Sequence, residues 1–165
     1  MTPFDEFVPP LSHALASLSK VLDKAEAHAT AKKIDPAVLM AARLYPDMFA
    51  LTRQVQIACD QVRRGAARLA GREPEATPDT EQSFADLRAR ITSTLAVLKA
   101  LKPADLDGAD KRTYSFKAGP SELRFEGANY IRFWILPNFY FHMTTAYAIL
   151  RHNGVELGKG DFLGG

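Results

Sequence analysis

Apolar residues return at three- and four-residue intervals in four separate stretches of this chain, a period that only a helix turns into one buried face. The clearest stripe is Phe84, Leu87, Ile91, Leu95, Leu98 and Leu101, stopped by Pro103. Another runs through Met48, Leu51, Val55, Cys59, Val62, Ala66 and Leu69, opened by Pro46 and closed by Gly71. The first stretch, Phe4, Phe7, Leu11, Leu15, Leu18, Leu22 and Ala25, holds Pro9 and Pro10, so its helix starts or bends there. The last runs from about Pro137 to His152 and ends at Asn153-Gly154. Asp35 followed by Pro36 has the pattern of an N-cap and first helical residue, which predicts a short extra helix ending near Leu44. For the third long helix, Asp79 with Gln82 offers a capping box, and Thr77-Pro78 an alternative start.

Between Pro103 and Leu136 the helical rhythm breaks. Thr113-Tyr114-Ser115-Phe116 and Leu123-Arg124-Phe125-Glu126 alternate in character around Ala118-Gly119-Pro120-Ser121, the pattern of a β-hairpin. Two strands alone are marginal in water, so the hairpin must pack on the helices. Four helices with one apolar stripe each bury those stripes against one another. The expected fold is therefore all-α: a four-helix bundle with a short extra helix and a small β-hairpin between helices 3 and 4. The connection before the last helix is long enough to cross the bundle end. In the tail, Leu157, Phe162 and Leu163 are the expected anchors.

The 165 residues fit one domain, 1–165, large enough to bury a core. Basic and acidic residues, 21 and 19, are spread along the chain and leave a net charge of +2. That balance gives no electrostatic reason for nucleic acid or an anionic membrane as partner. Arg63, Arg64, Arg68 and Arg72 cluster near a helix C-terminus, where the macrodipole favours cations. No run of about 18 apolar residues exists, and Met1 to Phe7 lacks the basic region of a signal peptide. The single cysteine, Cys59, excludes an intrachain disulfide and lies in a helical stripe as a buried, inert thiol. These features predict a cytoplasmic protein.

Chemistry concentrates in the last helix. Pro137 to Tyr147 is apolar and aromatic but carries Asn138 and His142 four residues apart, one turn apart on one face. Burying such a pair without partners is costly, so a site or a polar network is expected around it. There is no glycine-rich phosphate loop, no His-Glu-x-x-His and no cysteine pair. His13 falls off its stripe and is expected to face solvent. His152 suits the negative end of its helix, and Arg43 and Arg151 read as structural partners of Asp47 or Asp60.

His142 through Leu150-Arg151, with Gly154 to Asp161-Phe162-Leu163, resembles the closing motif of the DinB-like four-helix bundles. Lys24-Ala25-Glu26-Ala27-His28-Ala29, Arg43 to Met48 and Gln54 to Asp60 resemble one bacterial branch of that group, a domain of unknown function. The resemblance implies a four-helix bundle, commonly dimeric. It also implies, for many relatives, a divalent metal held by three histidines: one from the second helix and a pair four residues apart on the fourth. Relatives include thiol-dependent transferases, an isomerase and proteins assigned as metal-dependent hydrolases. Here His142 matches the second histidine of the pair, Asn138 stands where the first would be, and the second helix has no histidine. Asp47, Gln54, Gln56 and Asp60 are its polar substitutes, and His28 adds an imidazole if the end of the first helix reaches the last.

Amides are poor ligands for zinc, so no metal cofactor is expected; if one is held, His142 with Asn138 and Asp47 would hold it. A metal-free pocket lined by Tyr45, Tyr140, Phe141, Tyr147 and Trp134 and a purely structural network stay open beside it. In the pocket reading His142 is acid/base or ligand, Asp47 its partner acid and Asn138 an orienting group. Gln54, Arg43, Tyr147 and Trp134 are further binding residues. The first functional reading is thus a cytoplasmic homodimer that binds a small molecule near His142, with transferase or hydrolase chemistry if it is an enzyme. The alternative is a non-catalytic dimeric interaction bundle with a degenerate metal site, whose polar cluster only sets helix register.

Overall fold

The computed structural model describes residues 1–165 and opens on a helix capped by Thr2. In α1 (Pro3–Lys32) the Thr2 hydroxyl accepts from the Asp5 amide while the Asp5 carboxylate accepts from the Thr2 amide. The helix begins before Pro9 and Pro10 and runs through both. In α2 (Pro36–Ala41) the Asp35 carboxylate accepts from the Ala37 amide at 2.9 Å.

The next helix, α3 (Leu51–Leu69), starts at Leu51 rather than at Pro46. The cause is long-range: the Leu51 amide donates to the Ala42 carbonyl at 2.9 Å, closing a loop. Inside that loop Met48 N–H bonds Tyr45 O, and Arg43 donates to Pro46 O. Helix α4 (Phe84–Ala100) also starts later than Asp79 or Thr77 would place it. Ser83 is its cap, accepting from the Asp86 amide at 3.1 Å. The last long helix, α5 (Leu136–His152), follows a π-helical turn over Ile131–Ile135. Pro137 has no N–H to give Phe133, and its ring would press on that carbonyl; the widened turn makes room.

Around the core the order is α1, α4, α3, α5, so α3 lies diagonally across from α1 and α2 bridges them. Side-chain pairs fix the directions. Glu6–Arg132 and His28 beside Gly154 make α1 and α5 parallel. Gln54–His142 and Arg68–Tyr130 make α3 and α5 antiparallel. Asp60–Arg90 and Arg63–Ser93 make α3 and α4 parallel. The topology is up-down-down-up, so the connection between α3 and α4 must return the length of the bundle. From Arg53 to Leu69 is roughly 24 Å of helix, and an extended run from Arg72 to Asp79 covers about 23 Å. The crossover is thus the α3–α4 connection, and the longer Pro103–Leu136 segment stays at one end.

Buried charge fastens that crossover. Arg90, only 4% exposed on the inner face of α4, donates to Asp60 at 2.6 Å, to Glu81 at 2.8 Å and to the Pro78 carbonyl at 3.0 Å. Arg53 and Arg90 both pair with Asp79, Arg64 pairs with Asp60, and Gln56 donates to Glu81. Arg53, Arg64 and Arg90 thus face Asp60, Asp79 and Glu81, a balanced set that explains how so much charge is tolerated.

At the opposite end, strands β1 (Thr113–Ala118) and β2 (Ser121–Glu126) form the antiparallel hairpin. Phe116 and Phe125 pack on Tyr130 and Trp134, and the Arg68 guanidinium lies 4.3 Å from the Phe116 ring centroid. The tail turns into α6 (Lys159–Leu163) against α1, where Lys24 pairs with Asp161 at 2.6 Å. His13 is exposed yet donates from Nε2 to the Leu163 carbonyl at 2.7 Å. Leu157 is buried and Phe162 meets Tyr147 edge-on, but the Leu163 side chain is exposed rather than an anchor. No helix is long and apolar enough to cross a membrane.

Candidate functional site

Helices α3 and α5 pack antiparallel and bring Gln54, in the first turns of α3, against His142. Both side chains are buried, His142 at 9% exposure. The imidazole Nδ1 lies 2.7 Å from Gln54 Oε1, and Gln54 Nε2 donates to the Phe49 carbonyl at 3.0 Å. That second bond fixes the amide: reversing it would set oxygen against oxygen. Oε1 must accept, so Nδ1 carries the proton and Nε2 keeps its lone pair. No group of the chain bonds Nε2.

Burial pushes the His142 pKa down from 6.5 to about 4, with the nearby Arg53 cation acting in the same direction. At neutral pH the ring is therefore uncharged, an acceptor at Nε2. Phe141 stands edge-on to it, ring centroids 5.2 Å apart. Phe141 and Phe49, 58% and 56% exposed, border the site. A shallow depression of about 450 Å³ lies alongside on α5, lined by Leu44, Pro137, Tyr140, Phe141, Thr144, Thr145 and Ala148. His142 and Gln54 do not line it.

The other expected site residues lie elsewhere. Asp47 is exposed in the loop before α3, off the helix face it would have shared with Gln54. Asn138 donates to the Trp134 carbonyl at 2.8 Å, a group of the widened turn of its own helix, rather than turning to His142. Trp134 belongs to the hairpin cluster, and Tyr147 bonds the Leu157 carbonyl at 3.4 Å to hold the tail. Arg43 serves Pro46 and Arg151 the Val155 carbonyl, while Asp60 belongs to Arg90; the expected pairs with Asp47 or Asp60 do not form. Tyr45 is exposed. His28 neighbours Gly154, twelve residues beyond His142 and just past the end of α5, roughly 18 Å further along. Cys59 is fully buried, and burial pushes its thiol up to about 12, so it is no nucleophile.

Arg53 is the residue that sequence patterning overlooks. With the helix read as opening at Pro46, Arg53 falls in its second turn; only the start at Leu51 makes it a first-turn cation that opposes the macrodipole. Arg90 did carry a signal, since it falls between Leu87 and Thr94 on the apolar face of α4.

The residues present do not fit the divalent metal that the bundle family implies. His142 offers one imidazole nitrogen, its neighbour on α3 is an amide already bonded at both ends, and Asn138 is committed to Trp134. No three His, Cys, Asp or Glu side chains are placed to hold a metal ion; the three carboxylates that do converge, Asp60, Asp79 and Glu81, are occupied by Arg90.

A family model described as a domain of unknown function, DUF1993, matches residues 4–163. Among solved structures, the crystal structure of a DinB family member protein from Shewanella denitrificans is 43% identical, with a TM-score of 0.91. That match covers 98% of this chain and 92% of the other. No curated protein matches the sequence.

Proposed function

Because the chain belongs to the DUF1993 family of DinB-like helical bundles, we propose that it binds a small protic molecule at His142, whose neutral Nε2 accepts a hydrogen bond from the ligand. One observation carries this reading: a nine-tenths buried imidazole whose tautomer is locked by Gln54 while Nε2 has no partner in the chain. The Gln54 bond would serve helix register equally well with Nε2 sealed in the core; here Nε2 stays open, an acceptor that a ligand can reach. In a transferase or hydrolase reaction the same lone pair would take the proton of an attacking hydroxyl, thiol or water. With a pKa of about 4 its conjugate acid passes that proton on readily, though it is a weak base at neutral pH. We place the protein in the cytoplasm, in keeping with its single buried thiol.

The test is a screen of small alcohols, thiols and amides against the wild type and His142→Phe, read from amide shifts. Ligands that bind the wild type and weaken about tenfold or more in a variant with an unchanged fold support the reading. No ligand, or ligands indifferent to the substitution, overturn it.

A second reading, a non-catalytic dimeric bundle, rests on the exposed Leu44, Tyr45, Phe49 and Phe141. Sedimentation of the wild type and of Phe141→Ser separates the two: a dimer that the substitution dissociates, with no ligand found at His142, favours it.

A further inference from the structure

Six of the twelve arginines pair with a carboxylate: Arg53, Arg64, Arg88, Arg90, Arg124 and Arg132. Of the rest, Arg68, Arg72 and Arg112 line one depression of about 430 Å³ where the end of α3 meets the hairpin. It lies roughly 21 Å along α3 from Gln54, apart from the His142 site. Two of these arginines are half-buried and held by neutral groups. Arg68 donates to the Tyr130 hydroxyl at 3.2 Å and stacks on Phe116, while its Nε and Nη2 have no partner. Arg112 donates to the carbonyls of Leu69 and Asp107, and its Nε is unused. Burial raises the Tyr130 phenol above its ordinary pKa of 10, so it supplies no counter-charge. The Arg72 side chain is exposed and bonds no group of the chain. The macrodipole of α3 accounts for Arg112, on the Leu69 carbonyl, but not for Arg68, whose head is turned to Tyr130 and Phe116. No residue of β2 lines the depression, so it runs along the outer edge of β1. Gly127 donates to the Arg112 carbonyl, so by the alternation of an antiparallel ladder the Ser115 amide points to that outer edge. Glu73 alone brings negative charge to the lining and pairs with none of the arginines, leaving three cations against one carboxylate.

We propose that this depression binds the phosphate group of a small phosphate monoester, with Arg68, Arg72 and Arg112 on its oxygens and the Ser115 amide as a further donor. A monoester phosphate carries a charge of about −1.5 to −2 at neutral pH, which the net positive charge of the lining matches. Its oxygens take guanidinium edges two at a time. A phosphodiester or a monocarboxylate leaves positive charge unmet. The volume leaves room beyond the phosphate for a small organic group.

The test uses the full ¹⁵N-labelled chain with methyl phosphate, its diester dimethyl phosphate, and a single-stranded oligonucleotide without a terminal phosphate. The readouts are the Ser115 amide and the Nε–H resonances of Arg68 and Arg112. Methyl phosphate is expected to shift all three and to bind about tenfold or more tighter than the diester. Arg72→Gln, on an exposed side chain without partners, is expected to weaken the monoester about tenfold with the fold unchanged. A diester that binds as tightly, an affinity that survives Arg72→Gln, or no shift with the monoester in excess overturns the proposal. Oligonucleotide binding at these three resonances assigns the arginines to a nucleic-acid backbone instead and overturns it too.

Discussion

His142 Nδ1 and Gln54 Oε1 are 2.7 Å apart, and the bond between them links the two helices that pack most extensively in the bundle. Since Gln54 also donates to the Phe49 carbonyl, one side chain sets helix register, loop position and imidazole tautomer together. Gln54→Glu should reverse the electrostatics. A carboxylate next to Nδ1 favours the charged ring, so the His142 pKa should rise from about 4. NMR titration of the imidazole measures it directly; a pKa unmoved or lowered would mean that the bond is absent in solution.

The depressed pKa makes stability depend on pH. Unfolded, the ring titrates near its ordinary 6.5; folded, near 4. Between those values the unfolded chain binds the extra proton, so stability is full above about pH 6.5 and falls as the pH drops toward 4. The loss attributable to His142 is roughly 2 to 3 kcal/mol. Urea unfolding of the wild type and His142→Gln at intervals from pH 4 to 7 isolates it: the difference between the two should shrink toward low pH.

The metal prediction follows from the donor set. After incubation with zinc, nickel or manganese and removal of excess, elemental analysis of the untagged protein should find no stoichiometric metal that His142→Ala removes. A 1:1 metal lost in that variant would require Gln54 or Asn138 to abandon its present bonds.

Periodicity reveals what local spacing controls. The stripes of α1, α4 and α5 and the Gly119-Pro120 turn are written within a few residues of themselves, so the elements appear where the spacing puts them. The start of α3 is not, because Pro46 and Met48 continue a helical pattern that a distant bond from Leu51 to Ala42 overrides. With that loop goes Asp47, whose role in a site depended on its being helical. His142 and Gln54 stand out in sequence as polar residues on apolar faces. Nothing local says that they meet, because the meeting depends on the antiparallel packing of α3 against α5, elements more than sixty residues apart in the chain.

Arg90 should be the most sensitive charged residue, because it is the buried cation on which three carboxylates meet. Arg90→Met leaves Asp60, Asp79 and Glu81 facing one another without their central cation, and removing one partner of a buried pair typically costs about 3 to 5 kcal/mol. Burial works against the Glu81 carboxylate, but hydrogen bonds from Arg90 and Gln56 outweigh it and hold its pKa below the usual value. In the variant that advantage is lost, so the defect should be larger at pH 8 than at pH 4, where the carboxylates take up protons. Chemical denaturation at both pH values decides it; a defect independent of pH would mean that lost packing, not charge, is responsible.

Gly127 tests how the hairpin is joined to the bundle. It follows β2 with φ at +54°, and its amide donates to the Arg112 carbonyl at 2.8 Å. A Cβ there would sit 2.1 Å from the Asp110 carbonyl oxygen, a backbone atom that cannot swing aside as a side chain can. Gly127→Ala thus combines a left-handed backbone penalty with a backbone clash, together about 2 to 4 kcal/mol. The consequence should be local before it is global. The only tryptophan, Trp134, packs on Phe116 and Phe125 of the hairpin, so its emission reports their displacement. His142 lies about two turns further along α5, tied to α3 rather than to the hairpin. The variant should shift Trp134 emission to the red while leaving the His142 imidazole resonances in place. Simultaneous loss of both signals would mean that hairpin and bundle fold as one cooperative unit.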